Sequence, residues 1–166
     1  MSEDPDLDCE PEYLAERRFF DFADPSGLPA RDTLSAATGS SPPAALHPTG
    51  LVRDAAAAWD TPYAELTCEQ VRLLLGQKMA LAVLARPILS FIARCPRAAI
   101  TNYAGEMERL VLAAAAEFLT HERAAFRAWL AGDFSWMEDT FGSSRPLLRE
   151  AKEALASARR IAGCDL

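Results

Sequence analysis

The chain predicts an all-α fold: a compact bundle of about six helices with a flexible acidic N-terminal arm. Three observations carry this. Apolar residues recur at three- and four-residue spacing in most of the chain after residue 50, the period of a helix face. Strict apolar/polar alternation of useful length is missing, which argues against strands. Half of the 166 residues are hydrophobic, enough to bury the core of one domain.

Residues 1–10 read as a disordered arm and 11–22 as a short helix with Pro11 in its first turn. Tyr13, Phe20 and Phe19 are the side chains expected to dock on the body. Residues 23–49 hold five of the 11 prolines and read as a linker. Thus 1–49 is expected to be arm and linker, partly disordered, and 50–166 the helical domain. Residues 50–60 predict a short Ala-rich helix, broken by Thr61-Pro62.

The next helix is announced most clearly. Thr67 suits an N-cap and Gln70, three residues on, completes a capping box. Glu69 lies at the positive end of the helix dipole. Val71, Leu74 and Leu75 form one face. Gly76 marks a bend, a helix end or a close crossing, with Gln77 satisfying backbone groups there. Residues 78–94 predict a buried helix that Pro87 kinks or splits. Its apolar run, residues 79–93, contains Arg86 and Pro87 and falls short of the ~20 residues that span a bilayer.

Residues 104–119 predict an amphipathic helix, with Met107, Leu110, Val111, Ala114 and Phe118 inward and Glu106, Arg109 and Glu117 outward. Thr120 then caps a helix over 121–131, stopped by Gly132. Ser135 and Glu138 have capping-box spacing around residues 136–141. Ser144 opens a last helix with the stripe Leu147, Ala151, Leu155, Ala158 and Ala162, ended by Gly163.

Charge is unevenly placed. Nine carboxylates lie in residues 1–24 against Arg17 and Arg18, which accounts for the whole net charge of −7. The body is neutral, so no basic face is available for nucleic acid, whereas an acidic arm can steer a basic partner. Its N-terminus is the opposite of a positively charged leader. Cys9, Cys68, Cys95 and Cys164 are scattered; free thiols in a reducing cytoplasm are expected, with no disulfide framework.

Catalytic patterns are weak. His47 and His121 are the only histidines, and His121-Glu122 lacks the second histidine of a metalloprotease helix, since position 125 is Ala125. No phosphate loop and no supported nucleophile–base pair appears. The acid pairs Glu106/Glu108 and Glu138-Asp139 read as exposed helix acids. No metal and no cofactor is expected. Phe134, Trp136, Met137 and Phe141, interleaved with Asp133, Glu138 and Asp139, suit either core packing or a protein interface.

The segment Glu65-Leu66-Thr67, followed by Val71-Arg72-Leu73-Leu74-Leu75-Gly76-Gln77, resembles a family of immunity proteins from contact-dependent growth inhibition systems. Leu51-Val52 and Pro62 fit upstream. Leu84, Pro87, Ile88, Leu89, Cys95-Pro96, Tyr103, Gly105-Glu106 and Leu110 fit downstream, over about residues 50–120. Thr67, Gln70, Arg72, Gly76 and Gln77 are its structural motif. The chain departs from the family at Ala99-Ile100-Thr101, where relatives carry an acidic cluster, and at Arg97. The resemblance implies a non-enzymatic, cytoplasmic protein that occludes a cognate toxin domain encoded by the adjacent gene. From charge and aromatic content alone, the expected contacts are Asp4, Asp6, Asp8, Glu10 and Glu12 of the arm and the Trp136/Glu138/Asp139 patch. A helical scaffold, oligomerisation subunit or regulatory interaction protein is the alternative, and a small enzyme is the third class.

Overall fold

A computed structural model describes residues 13–25, 27, 29–41 and 49–164. The described residues form nine α-helices and two 3-10 turns, with isolated β-bridges but no strand, so the all-α expectation holds. The proposed contact residues Asp4, Asp6, Asp8, Glu10 and Glu12, together with Cys9 and His47, lie outside the described residues.

Residues 13–22 do not form the expected helix. They make one 3-10 turn, Phe19–Asp21, because their backbone groups are used elsewhere. The carbonyls of Arg17 and Ala15 accept the Cys68 and Glu69 N–H groups at 2.9 and 3.0 Å, and Phe19 N–H donates to Leu66 at 2.8 Å. Tertiary pairing thus outcompetes local helix propensity. Phe19 stacks on Phe91 at 5.1 Å and Phe22 meets the same ring edge-on. Phe20 packs on Tyr63, but Tyr13 is 60% exposed and does not dock.

The linker also contains structure. Thr33 accepts from Ala36 N–H and starts α1, Leu34–Thr38, which ends on Gly39 in the left-handed region. Leu34 is fully buried. The Trp59 indole N–H donates to the Ser40 carbonyl at 2.9 Å, tying this segment to α2, Gly50–Trp59.

Helix α3, Cys68–Gly76, has the full capping box: Gln70 N–H donates to Thr67 Oγ1, and Thr67 N–H to Gln70 Oε1. With the two carbonyls from residues 15 and 17, three first-turn N–H groups are satisfied, as a partly buried helix start requires. Gly76 is the last helical residue. A Cβ there would meet Leu110 at an ordinary 3.9 Å, so it marks a helix end, not a tight crossing. Gln77 closes the helix through its backbone N–H rather than its side chain.

Lys78 and Ala80 take left-handed φ in the turn to α4, Leu81–Arg94. This helix runs unbroken through buried Pro87. Ser90 Oγ donates to the Pro87 carbonyl and accepts from Asp24 N–H, both at 2.8 Å, which joins the N-terminal segment to α4.

The long helix expected over 104–119 is split. Helix α5 covers Glu106–Ala113 and α6 Ala115–His121, with Ala114 at φ −101° and ψ 25° between them. Thr120 does not cap the next helix; its hydroxyl donates back to Ala116, and His121 ends α6. The chain breaks at Glu122, whose carboxylate pairs with Arg86 at 3.2 Å, before α7, Arg123–Leu130.

Helix α8, Trp136–Phe141, lacks the Ser135 cap: Ser135 is itself helical, and Asp133 instead accepts from its N–H and hydroxyl. These bonds hold the Asp133 carboxyl below its ordinary range. Helix α9, Arg145–Ala162, buries Ala151, Ala158 and Ala162 and ends at left-handed Gly163. Its Arg159 donates to the carbonyls of Leu130 and Gly132 at 3.1 and 3.2 Å and lies over the Phe134 ring, closing the end of α7. Packing proceeds from α2 to α3, α3 to α5, α5 to α9 and α9 to α8, with α6 seated on α4, α7 and α9.

Cys68 is a free buried thiol, and burial pushes it up to about 12, so it is unreactive. Cys95 corrects the expectation of free thiols, because it is disulfide-bonded. Spacing along the chain does not report which sulfurs meet in space. No helix among the described residues is long and apolar enough to cross a membrane.

Candidate functional site

The loop between α4 and α5 folds against α3 and buries two carboxylates, the reverse of the exposed acids expected there. Glu106 and Glu108 are 2% and 3% exposed. Gly105 takes φ +77° at the start of α5, and this turn points the first-turn acids inward. Both gain from the positive end of the helix dipole.

Glu106 collects the loop. It accepts Thr101 N–H and Asn102 N–H, each at 3.2 Å, and Asn102 Nδ2 at 2.6 Å. Arg72 Nη1 reaches it from α3 at 3.4 Å. The same guanidinium holds Glu69 in bidentate fashion, Nε at 3.0 Å and Nη2 at 2.7 Å, and Thr101 Oγ1 bonds Glu69. One arginine therefore serves two carboxylates. Its charge-assisted bonds are the strong kind, and Glu69 raises the Arg72 pKa further.

Glu108 holds the other end of the loop by accepting Arg97 N–H. Arg97 is a non-glycine residue at φ +60°, and its carbonyl takes Gly105 N–H at 3.2 Å. Such a backbone persists only where surrounding bonds fix it. Burial, opposed chiefly by the Arg97 N–H bond, pushes the Glu108 carboxyl up to about 7.

A perturbed carboxylate is what an enzyme reading requires. Yet Glu108 Oε2 is fully buried and has no hydrogen-bond partner, and Glu108 lines neither concavity described below. The arrangement fits a loop clamp better than an acid or base facing substrate.

The clamp has a pH signature. The folded carboxyl keeps its proton between 4.5, its ordinary value, and about 7, whereas the unfolded one does not. Its contribution is complete below pH 4.5 and is lost as pH rises to 7, on the order of 3 kcal/mol. Glu108→Gln retains an acceptor and cannot ionise. Urea midpoints of the two proteins should therefore diverge in favour of the variant from pH 5 to pH 8. Parallel pH profiles would contradict the clamp.

Two concavities lie on the surface. The first, about 410 Å³, lies between α2 and α3 and is lined by Leu51, Asp54, Glu69, Gln70, Arg72 and Leu73, among others. The second, about 340 Å³, lies beside α8 and α9, with Asp133, Glu138, Lys152 and Arg159 around Phe134 and Met137. There Glu138 pairs with Lys152.

Of the sequence-predicted contacts, Trp136 is half-buried between Phe134 and Phe141, and Glu138 and Asp139 are exposed. Phe134, Met137 and Phe141 are core residues, so most aromatics of that stretch serve packing. The motif residues Thr67, Gln70 and Arg72 are brought together, while Gly76 and Gln77 sit at the far end of α3. Glu106 had a signal in the sequence, its place after Gly105 in the resembling segment; Glu108 had none. No cluster of three or more His, Cys, Asp or Glu suited to a metal occurs among the described residues.

Compared with protein-family models, curated proteins and solved structures, the chain shows no significant match.

Proposed function

We propose that the chain is an immunity protein. It binds and neutralises the toxin domain of a contact-dependent or polymorphic toxin system, in the cytoplasm of the cell it protects. It acts as a stoichiometric inhibitor that covers the toxin's active surface, not as an enzyme. One observation supports this most. The two segments that carry the resemblance are far apart in sequence but meet through the Arg72–Glu106 pair, as parts of a single pattern should. In this reading Arg72, Glu106 and Gly105 shape the domain, and the surface around them meets the toxin. Growth rescue tests it. Cells expressing the C-terminal domain of the toxin encoded immediately upstream should stop growing, and co-expression of the 166-residue chain should restore growth. Continued arrest with the folded chain present would overturn the proposal.

A further inference from the structure

We infer that the groove between α2 and α3 is where the toxin docks, and that the toxin presents there a lysine or arginine flanked by apolar surface. This rests on the immunity reading and adds to it the partner's chemistry.

The charge balance of the groove is the first argument. Asp54 is exposed and makes no ion pair with any described residue. Among the described residues Glu69 has Arg72 as its one cationic partner, and Arg72 also serves buried Glu106. Two lining carboxylates, Asp54 and Glu69, thus face one guanidinium that buried Glu106 also draws on, and the groove keeps a negative surplus that a cation from outside would balance. The concavity beside α8 and α9 has no such surplus, since Asp133 and Glu138 face Lys152 and Arg159.

Apolar surface is the second. Leu51, in the first turn of α2, is 43% exposed, one of three large hydrophobic side chains so placed among the described residues. Leu73 lines the same groove from α3. A long basic side chain lays its methylenes on such surface and leaves its charge at the rim, here beside Asp54 and Glu69. The volume, about 410 Å³, accommodates one or two side chains.

Calorimetry with the purified C-terminal domain of the upstream-encoded toxin tests this, on the full-length chain and three single variants. Leu51→Asp and Asp54→Lys alter exposed positions in the groove; Asp139→Lys reverses an exposed charge on α8 and serves as reference. Each groove variant should weaken binding at least tenfold, and Asp54→Lys should also reduce the salt dependence of affinity, while Asp139→Lys binds as the unaltered chain does. If the unaltered chain binds and both groove variants bind within twofold of it, the groove is not the docking site, though the immunity reading stands. If the unaltered chain does not bind, both fail. A fall of several degrees in the free chain's Tm with either groove variant would mean the chain fills this groove itself, and that also overturns the proposal.

Discussion

Glu106→Ala should cost about 4 kcal/mol of folding stability, the largest loss expected from any single substitution considered. Removing this carboxylate strands the Thr101 and Asn102 N–H groups and the Asn102 amide. It also leaves Arg72 with Glu69 alone. Thr101 and Asn102 are exposed, so water can take up part of these bonds, but each bond to a carboxylate still contributes about 1.5–3 kcal/mol. Glu106→Gln should cost less, because its amide oxygen still accepts the Thr101 and Asn102 N–H groups, while its NH2 replaces the oxygen that holds Arg72 and Asn102 Nδ2. Urea unfolding with an unchanged m-value distinguishes the two. A loss below about 1 kcal/mol for the alanine variant would mean that the loop is held by something other than Glu106.

Gly105→Ala is the second, at about 3 kcal/mol. Left-handed φ alone costs about 1–2 kcal/mol for a residue with a Cβ. The added methyl would also lie 2.9 Å from Phe141 Cζ and 3.2 Å from Thr140 Cγ2, and overpacking typically adds about 1–3 kcal/mol. Gly39 separates the two contributions: it has φ +66°, but a methyl group added there would meet nothing within 4 Å. Gly39→Ala should therefore show only the backbone cost. Phe141→Leu should recover part of the Gly105→Ala loss in the double variant by giving the methyl room. Equal losses for Gly39→Ala and Gly105→Ala would show that the Phe141 contact carries no weight.

Elements whose signals are local were legible in the sequence. The Thr67/Gln70 capping box, the stop at Gly163 and the apolar face of α9 depend on residues within a few positions of one another. What was not legible depends on distant partners. Residues 13–22 contain aromatic and helix-forming residues, yet give their carbonyls to the start of α3. The break at Ala114 interrupts a run whose apolar period continues across it, so periodicity alone joins what the tertiary structure separates, while the break expected at Thr120 falls at Glu122. The Pro- and Ser-rich composition of 23–49 concealed α1, five residues long and held by Thr33, Gly39 and buried Leu34.

The candidate site shows the same division. Arg72 and Glu106 stood out as members of a pattern, but not as a pair, because 34 positions and a change of helix separate them in the chain. Acids at positions 106 and 108 of an amphipathic helix normally face water. They are buried because Gly105 turns the chain and the loop offers N–H donors to Glu106 from Thr101 and Asn102, and to Glu108 from Arg97. A helical period carries no record of such donors. The groove beside Asp54 was equally hidden, since it exists only where α2 lies along α3.

The central claim is that this domain is half of a toxin–inhibitor pair, and co-purification tests it most directly. The 166-residue chain is expressed with the C-terminal domain of the upstream-encoded toxin, and light scattering gives the mass of the eluted species. The account predicts a single 1:1 complex. A folded chain that elutes without the toxin domain, whether alone or as a large homo-oligomer, would contradict it and favour a helical scaffold instead.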